Sequence, residues 1–501
     1  MALRTVPGAT DHVVVIGAGL GGLAATLRLV GAGRQVTVLE REAVPGGRAG
    51  LLEAAGYRFD TGPTVLTMPE LIDEAFSWVG ERLADRLELL PLSPAYRASF
   101  ADGSVLDVHA DPDRMEQQIA ETISAREAAG YRELVGFLRR LYLLEHRHFI
   151  DRNLDSPVQL LGTAGLRLLA MGGLRRLAPK VGQYLADDRL RRIFSFQAMY
   201  AGLAPQRALA LYAVIAYMDT VAGVYFPRGG MHALPAALAA AASAHGAKFR
   251  YDVEVNRIEV AGGRAVAVHT GNGERIPADV VVVNADLPTA YRQLLGPAHA
   301  PGRLNRLRYS PSCVLLHAGS RRGYPQLAHH TIFFGRAWRS TFAEIIDQGR
   351  LMSDPSFLVS NPSGTDPTLA PAGRHSYYVL FPAPNTQAAV DWPAITDAYR
   401  QEMHGQLHAR GLTDFADSLE VEVTVTPADW QRQGLAAGTP FAAAHTFPQS
   451  GPFRFPTLDR RIENLVFCGS NTQPGVGVPM VLLSGKLAAE RILGPDGGSD
   501  A

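Results

Sequence analysis

An α/β architecture assembled from discontinuous stretches of chain is predicted by three features of the 501-residue sequence. A β-branched run enters a glycine-rich turn and a helix near the start, a second strand, turn and helix stand near the end, and two long insertions separate them. The length exceeds one ordinary domain, so two or three lobes are expected. Hydrophobic residues make up 47% of the chain and charged residues 19%, which excludes a disordered protein. Forty-eight basic residues balance forty-eight acidic ones, so no overall field concentrates nucleic acid, which is not expected as a partner. The two cysteines, Cys313 and Cys468, lack metal-ligand spacing and suit a reducing compartment. Residues 1–12 show no signal-peptide pattern, and the longest apolar stretches are broken by Gly and Arg or are mostly Ala. A cytoplasmic protein without a membrane span is expected.

The first element is the strand Val13-Val14-Val15-Ile16, followed by Gly17-Ala18-Gly19-Leu20-Gly21-Gly22 and a helix-compatible run. Gly17, Gly19 and Gly22 have the G-x-G-x-x-G spacing that permits a tight turn, close approach of backbone to a pyrophosphate, and helix-on-strand packing, with the helix amino terminus facing the phosphates. A second β run, Gln35–Leu39, ends in Glu40, at roughly the 20-residue separation at which a carboxylate reaches ribose hydroxyls. Pro45-Gly46-Gly47-Arg48 comes next, where an arginine on a glycine turn could reach the same pyrophosphate with a guanidinium fork; a plain surface turn is the alternative. Residues 249–286 read as a meander with strands 249–255, 258–260, 265–270 and 279–283, separated by glycine turns and ending at Asn284-Ala285-Asp286. The last unit runs from Asn464 through Gly469-Ser470-Asn471-Thr472-Gln473-Pro474-Gly475-Val476-Gly477-Val478-Pro479 into a helix whose amino terminus again points at a ligand.

The strings V-V-I-G-A-G-L-G-G-L-A-A, V-L-E-R, P-G-G-R-A-G and F-D-T-G-P-T-V-L-T (59–67) resemble the start of the bacterial phytoene desaturases of carotenoid biosynthesis, within the amine-oxidase-like flavin superfamily. The carboxyl-terminal G-x-x-T-x-P-G-x-G-x-P string matches too, and the resemblance runs from residue 13 to about 493. It implies FAD, held by Gly17, Gly19, Gly21, Gly22, Glu40, Arg41, Gly47 and Arg48 at one end. Thr61, Gly62, Pro63 and Thr64 would run near the flavin ring, the backbone of Val255 beside the adenine, and Asn284 at the next strand. Gly469, Ser470, Gly477, Val478 and Pro479 would cover the ribityl and ring portion. Two glycine-rich turns at opposite ends of the chain, converging on one long dinucleotide, favour FAD over NAD. Two positions depart from the family pattern: Gln473 stands where His is frequent and Asn471 where Gly is common.

The fold is therefore expected to be α/β, with a discontinuous Rossmann-like FAD-binding domain (1–80, 225–290 and 455–501), a mixed α+β substrate domain (81–115 and 291–454) and a helical lobe (116–224). By the resemblance, the protein desaturates phytoene towards lycopene by hydride transfer to flavin N5 with proton loss from the neighbouring carbon. A carotenoid desaturase or oxidase acting on another polyene is an alternative, and a non-catalytic prenyl-binding escort protein of the same fold is another. A C40 polyene hardly dissolves in water, which argues for contact with a membrane surface. Residues 157–193 carry many leucines with Arg167, Arg175, Arg176, Lys180, Arg189, Arg191 and Arg192, and read either as a basic apolar helix on a bilayer or as an internal lobe.

No G-x-S-x-G, P-loop or H-E-x-x-H occurs, and no second G-x-G-x-x-G for NADPH, so oxygen or a quinone is the expected electron acceptor. His329 and His330 are adjacent and on a strand would face opposite ways, one lining the core or site and one facing solvent, which speaks against a shared metal. Cys468 reads as a small core residue. No motif assigns a catalytic base; Asp151, Asp155, His329 and His330 form the shortlist.

Overall fold

A computed structural model describes residues 3–495. Five parallel strands lie in the spatial order Leu465–Phe467, Val280–Val283, His12–Ile16, Gln35–Leu39 and Lys248–Arg250. The central strand is apolar on both faces because both are covered, as parallel sheets require. Val13 and Val15 face the helices Leu20–Gly31 and Val478–Leu493, whereas Val14 and Ile16 face Ile258, Val268 and Tyr291 on the other side. The two helices meet closely: a Cβ at Gly485 would lie 2.3 Å from the Gly21 carbonyl oxygen.

The expected four-stranded meander is corrected. Only Val255–Ala261, Arg264–Thr270 and Arg275–Pro277 form an antiparallel sheet, while Lys248–Arg250 and Val280–Val283 belong to the parallel one. Val280–Val283 is buried throughout, the mark of a central parallel strand and not of an exposed meander edge. A seven-stranded mixed sheet follows the order Leu419–Val425, Ser312–Ser320, His375–Ala383, Phe357–Ser360, His330–Phe334, Tyr96–Phe100 and Val105–Val108. Its strands come from two distant parts of the chain, joined by the parallel pairing of His330–Phe334 with Tyr96–Phe100.

Two longer helices, Pro112–Thr122 and Ala125–Glu145, begin on caps from Asp111 and Ser124, and shorter helices fill residues 157–220. The single basic helix considered for residues 157–193 does not form. The segment breaks into Pro157–Leu161, Thr163–Ala170, Leu177–Val181 and Asp188–Ile193. Gly162 is extended between the first two, and Gly172, at φ +79°, takes the left-handed backbone that ends the next.

Candidate active site

A cavity of about 1340 Å³ opens along the carboxyl edge of the parallel sheet and continues between the seven-stranded sheet and the helices. Of the residues the sequence singles out, Gly17, Gly19, Glu40, Arg41, Gly47, Arg48, Thr61 to Thr64, Val255, Asn284, Gly469, Ser470, Gly477, Val478 and Pro479 line it together. Gly21 and Gly22 do not; they lie behind the wall. A Cβ at Gly22 would stand 2.4 Å from the Gly17 carbonyl oxygen, and one at Gly21 would meet the Asn284 side chain at 2.8 Å and the Gly469 nitrogen at 3.2 Å. Their service is close packing of turn, helix and carboxyl-terminal strand.

At the sheet edge the Glu40 carboxylate is buried and receives two backbone N–H groups, Ala18 to Oε2 at 2.6 Å and Glu42 to Oε1 at 3.0 Å. Burial raises its pKa while these donors oppose the rise. Each oxygen keeps a lone pair for a further donor, as a ribose hydroxyl would be. The Asn284 amide donates to the Gly17 carbonyl at 3.3 Å, and the buried Cys468 thiol donates to Asn284 Oδ1 at 3.4 Å, so Cys468 is a core residue tied to this turn. Arg41 sits at the rim, bonded to Glu42 Oε1 and the Gln433 carbonyl.

Arg48 joins the two glycine-rich turns. Its Nη1 donates to Ser470 Oγ at 2.8 Å and its Nη2 to Asp286 Oδ2 at 3.3 Å, while the Asn471 amide donates to the same carboxylate at 2.8 Å. Burial pushes the Asp286 pKa up, and the Arg48 charge resists this. Asn471 also accepts from the Ala443 N–H at 2.9 Å, so the departure at 471 supplies a crosslink. Gln473, the other departure, holds Leu154 through its N–H and carbonyl. The turn 61–64 is held from behind: Tyr378 OH donates to the Gly62 carbonyl at 2.9 Å and His330 Nε2 approaches the Thr64 carbonyl at 3.0 Å. Burial lowers the His330 pKa to about 4, so the ring is neutral and its one N–H serves Thr64.

These features fit FAD. The helices Leu20–Gly31 and Val478–Leu493 both begin on glycine with no side-chain cap, leaving first-turn N–H groups for an anion or a reduced ring. Beside them stands a cradle that any Cβ at Gly19 would fill, 2.7 Å from Asn284 Nδ2.

The far part of the cavity is walled by Phe196, Met218, Phe334, Trp338, Phe342 and Phe357. The shortlisted bases do not stand free in it. Asp151 pairs with Lys486 at 2.8 Å and Asp155 forks onto the buried Arg491, and neither lines the cavity. His329 is not solvent-facing: Nδ1 bonds Thr365 Oγ1 at 2.6 Å and Nε2 is buried at a small second cavity. His330 lines the large cavity but its free nitrogen faces the Ala95 carbonyl at 3.4 Å. Sequence reasoning missed four titratable residues that line the cavity: Glu145, Asp219 and His445, and Asp286 at its dinucleotide end. The available signal for the first two was an acid inside an apolar helical run, L-Y-L-L-E (141–145) and A-V-I-A-Y-M-D (213–219). His445 packs on the carboxyl-terminal turn, where a Cβ at Gly475 would lie 2.1 Å from its Nε2.

Comparison with known proteins gives consistent results. Residues 20–493 match the flavin containing amine oxidoreductase family. The chain is 59% identical over 494 residues to a phytoene dehydrogenase of Streptomyces griseus, covering 98% of this chain and 97% of the relative. It is 34% identical to the lycopene-forming phytoene desaturase of Pantoea ananas, over 96% and 98%. Among solved structures, cyclohexylamine oxidase from Brevibacterium oxydans superimposes with a TM-score of 0.60 at 18% identity, over 96% of this chain and 99% of that one, a likeness of fold.

Proposed function

The chain belongs to the flavin containing amine oxidoreductase family, and on that premise we propose that it is an FAD-dependent desaturase that converts phytoene towards lycopene. The observation that carries the reading is one cavity whose first part is a glycine-lined dinucleotide cradle and whose second part is apolar and aromatic. When bound, FAD supplies a two-electron acceptor. The residues of the chain do the rest. Glu40 would hold the ribose hydroxyls and the first turns of the two uncapped helices would bind the pyrophosphate and the ring, while Arg48 clamps the two glycine turns together. His330 and Tyr378 fix the turn 61–64 from behind. Phe196, Phe334 and Trp338 supply a dry wall that orients a hydrocarbon and keeps water from the reacting carbons.

The same reading includes a lipid surface. Among the described residues no helix is long and apolar enough to cross a membrane. Val158, Leu161, Leu166 and Leu169 are nevertheless 64%, 77%, 64% and 53% exposed, with Arg167, Arg175 and Arg176 exposed among them. Leu161, Leu169 and Leu174 are exposed and also line the cavity, so this patch is its mouth. An apolar mouth ringed by arginines suits withdrawal of a polyene from an anionic bilayer. Oxygen or a quinone would serve as the electron acceptor, in keeping with the lack of a second G-x-G-x-x-G for NADPH.

The test is purified holoprotein mixed with phytoene in liposomes, followed by visible absorption and chromatography of the extract. Long-wavelength polyene bands are expected, and their positions count the double bonds introduced. A flavin-loaded protein that leaves phytoene unchanged and oxidises another polyene would replace the substrate; a colourless protein that carries the lipid would make it an escort protein.

A further inference from the structure

Two buried carboxyl groups carried on helices, Glu145 and Asp219, reach the large cavity without an ion-pair partner among the described residues. An acid buried at either position costs desolvation with no paired charge to offset it, which marks a functional group. Both are almost fully buried. They differ in how they are held. Glu145 ends the helix Ala125–Glu145, and its Oε1 has no hydrogen-bond partner. Asp219, near the end of Ala213–Thr220, is oriented: its Oδ1 accepts from Gln197 Nε2 at 3.4 Å, and the same amide donates to the Ile193 carbonyl at 2.9 Å. Among the described residues Oδ2 has no side-chain partner, and the carboxyl also accepts from its own backbone N–H. Ile215, Met218, Val224 and Phe196 line the same cavity.

Its place in the fold matters as much. The Tyr96 hydroxyl lies 3.4 Å from the Gln197 amide, and the neighbouring Ala95 carbonyl faces His330, which holds Thr64. From the other side Leu66, two residues beyond Thr64, bridges to Tyr225, six beyond Asp219. Asp219 is therefore set on the wall that continues from the turn 61–64, which the desaturase reading puts under the reacting ring.

Resting on that reading, we infer that Asp219 is the proton acceptor of the desaturation. One carbon of the polyene gives up a C–H bond as hydride to the bound flavin. The C–H bond of the adjacent carbon leaves its electron pair in the new C=C and passes its proton to Asp219 Oδ2. Flavin is reduced by two electrons, the polyene is oxidised by two, and the carboxyl group returns its proton to solvent between turnovers. Burial raises the Asp219 pKa, making its carboxylate a stronger base than an exposed aspartate. The groups that face it are Gln197, Tyr96 from the strand Tyr96–Phe100, and Tyr200; burial raises both tyrosines, so they stay neutral.

The experiment is anaerobic single turnover of the holoprotein with phytoene in liposomes, reading flavin bleaching, bound flavin and co-purifying phytoene for wild type, Asp219→Asn, Asp219→Glu, Gln197→Leu and Glu145→Gln. Asp219→Asn is expected to keep flavin and phytoene while bleaching about 100-fold more slowly or worse, and Asp219→Glu to recover most of that loss. Gln197→Leu, which leaves the acid but frees it, should be roughly tenfold slower, and serves if Asp219→Asn does not fold. In wild type the bleaching rate should climb with pH through a limb above the ordinary carboxylate range, absent from the asparagine variant. Bleaching by Asp219→Asn within a few-fold of wild type, loss of bound phytoene in step with rate, or transfer of the pH limb to Glu145→Gln would each overturn the assignment. If wild type oxidises a different polyene, the substrate reading fails alone, because the same ratios are read with that polyene.

Discussion

The two ends of the cavity solve the burial of polar groups in opposite ways. At the dinucleotide end every buried acid has a donor: Glu40 takes two backbone N–H groups, and Asp286 takes Arg48 and Asn471. At the polyene end Asp219 has one weakly placed amide and Glu145 an oxygen with none. The first arrangement keeps charge where a charged ligand must be recognised. The second raises the pKa of both acids by burial among aromatic walls, which makes a carboxylate there a stronger base beside a substrate that carries no polar handle.

The comparison can be broken most forcefully at the glycine turn. Gly22→Val places methyl groups against the Gly17 carbonyl and should yield colourless protein, with thermal unfolding showing a loss of about 3 kcal/mol; yellow, stable protein would mean the turn has room the packing denies it. Next comes Glu40→Gln, which removes a charged acceptor and leaves the Ala18 and Glu42 donors with a weaker one. Flavin affinity, measured by titration of the apoprotein, should fall by roughly 2 kcal/mol, about thirtyfold.

At the other end Glu145 offers a reversal of sign. Burial raises its pKa in the folded chain, so its protonated form contributes stability that is full below about pH 4.5 and is lost as pH rises towards the raised folded value. Glu145→Gln should therefore match wild type in acid and exceed it by about 1 kcal/mol or more near pH 8, in urea unfolding at the two pH values. An equal gap at both would show that the carboxyl is not held neutral. The smallest effect belongs to the mouth: Leu161→Gln with Leu166→Gln should cut co-sedimentation with anionic liposomes roughly tenfold and leave flavin content unchanged.

The parallel sheet and its cradle were legible because their signals are local. Val13–Ile16, the spaced glycines and Glu40 lie within one short stretch, and the turn 469–479 repeats the same grammar. The meander was half legible: glycine turns mark where Arg264–Thr270 begins and ends, but nothing near Val280–Val283 says that its partners are His12–Ile16 and Leu465–Phe467. Three of the four shortlisted proton acceptors are held elsewhere, and that was illegible for a similar reason. Asp151, Asp155 and His329 look as reactive in sequence as Asp219, and only Lys486, Arg491 and Thr365, distant in the chain, reveal that they are occupied.

By itself, then, the sequence determined the dinucleotide half of this protein, because phosphate and ribose are recognised by backbone shape and one strand-end carboxylate, both written in short-range spacing. Only the tertiary structure decided which acids line the cavity, that Arg48 joins two turns from opposite ends of the chain, and that the leucines of 158–174 ring a mouth. Burial and pairing are relations between elements, and a carboxyl group becomes a base or a strut according to what packs against it.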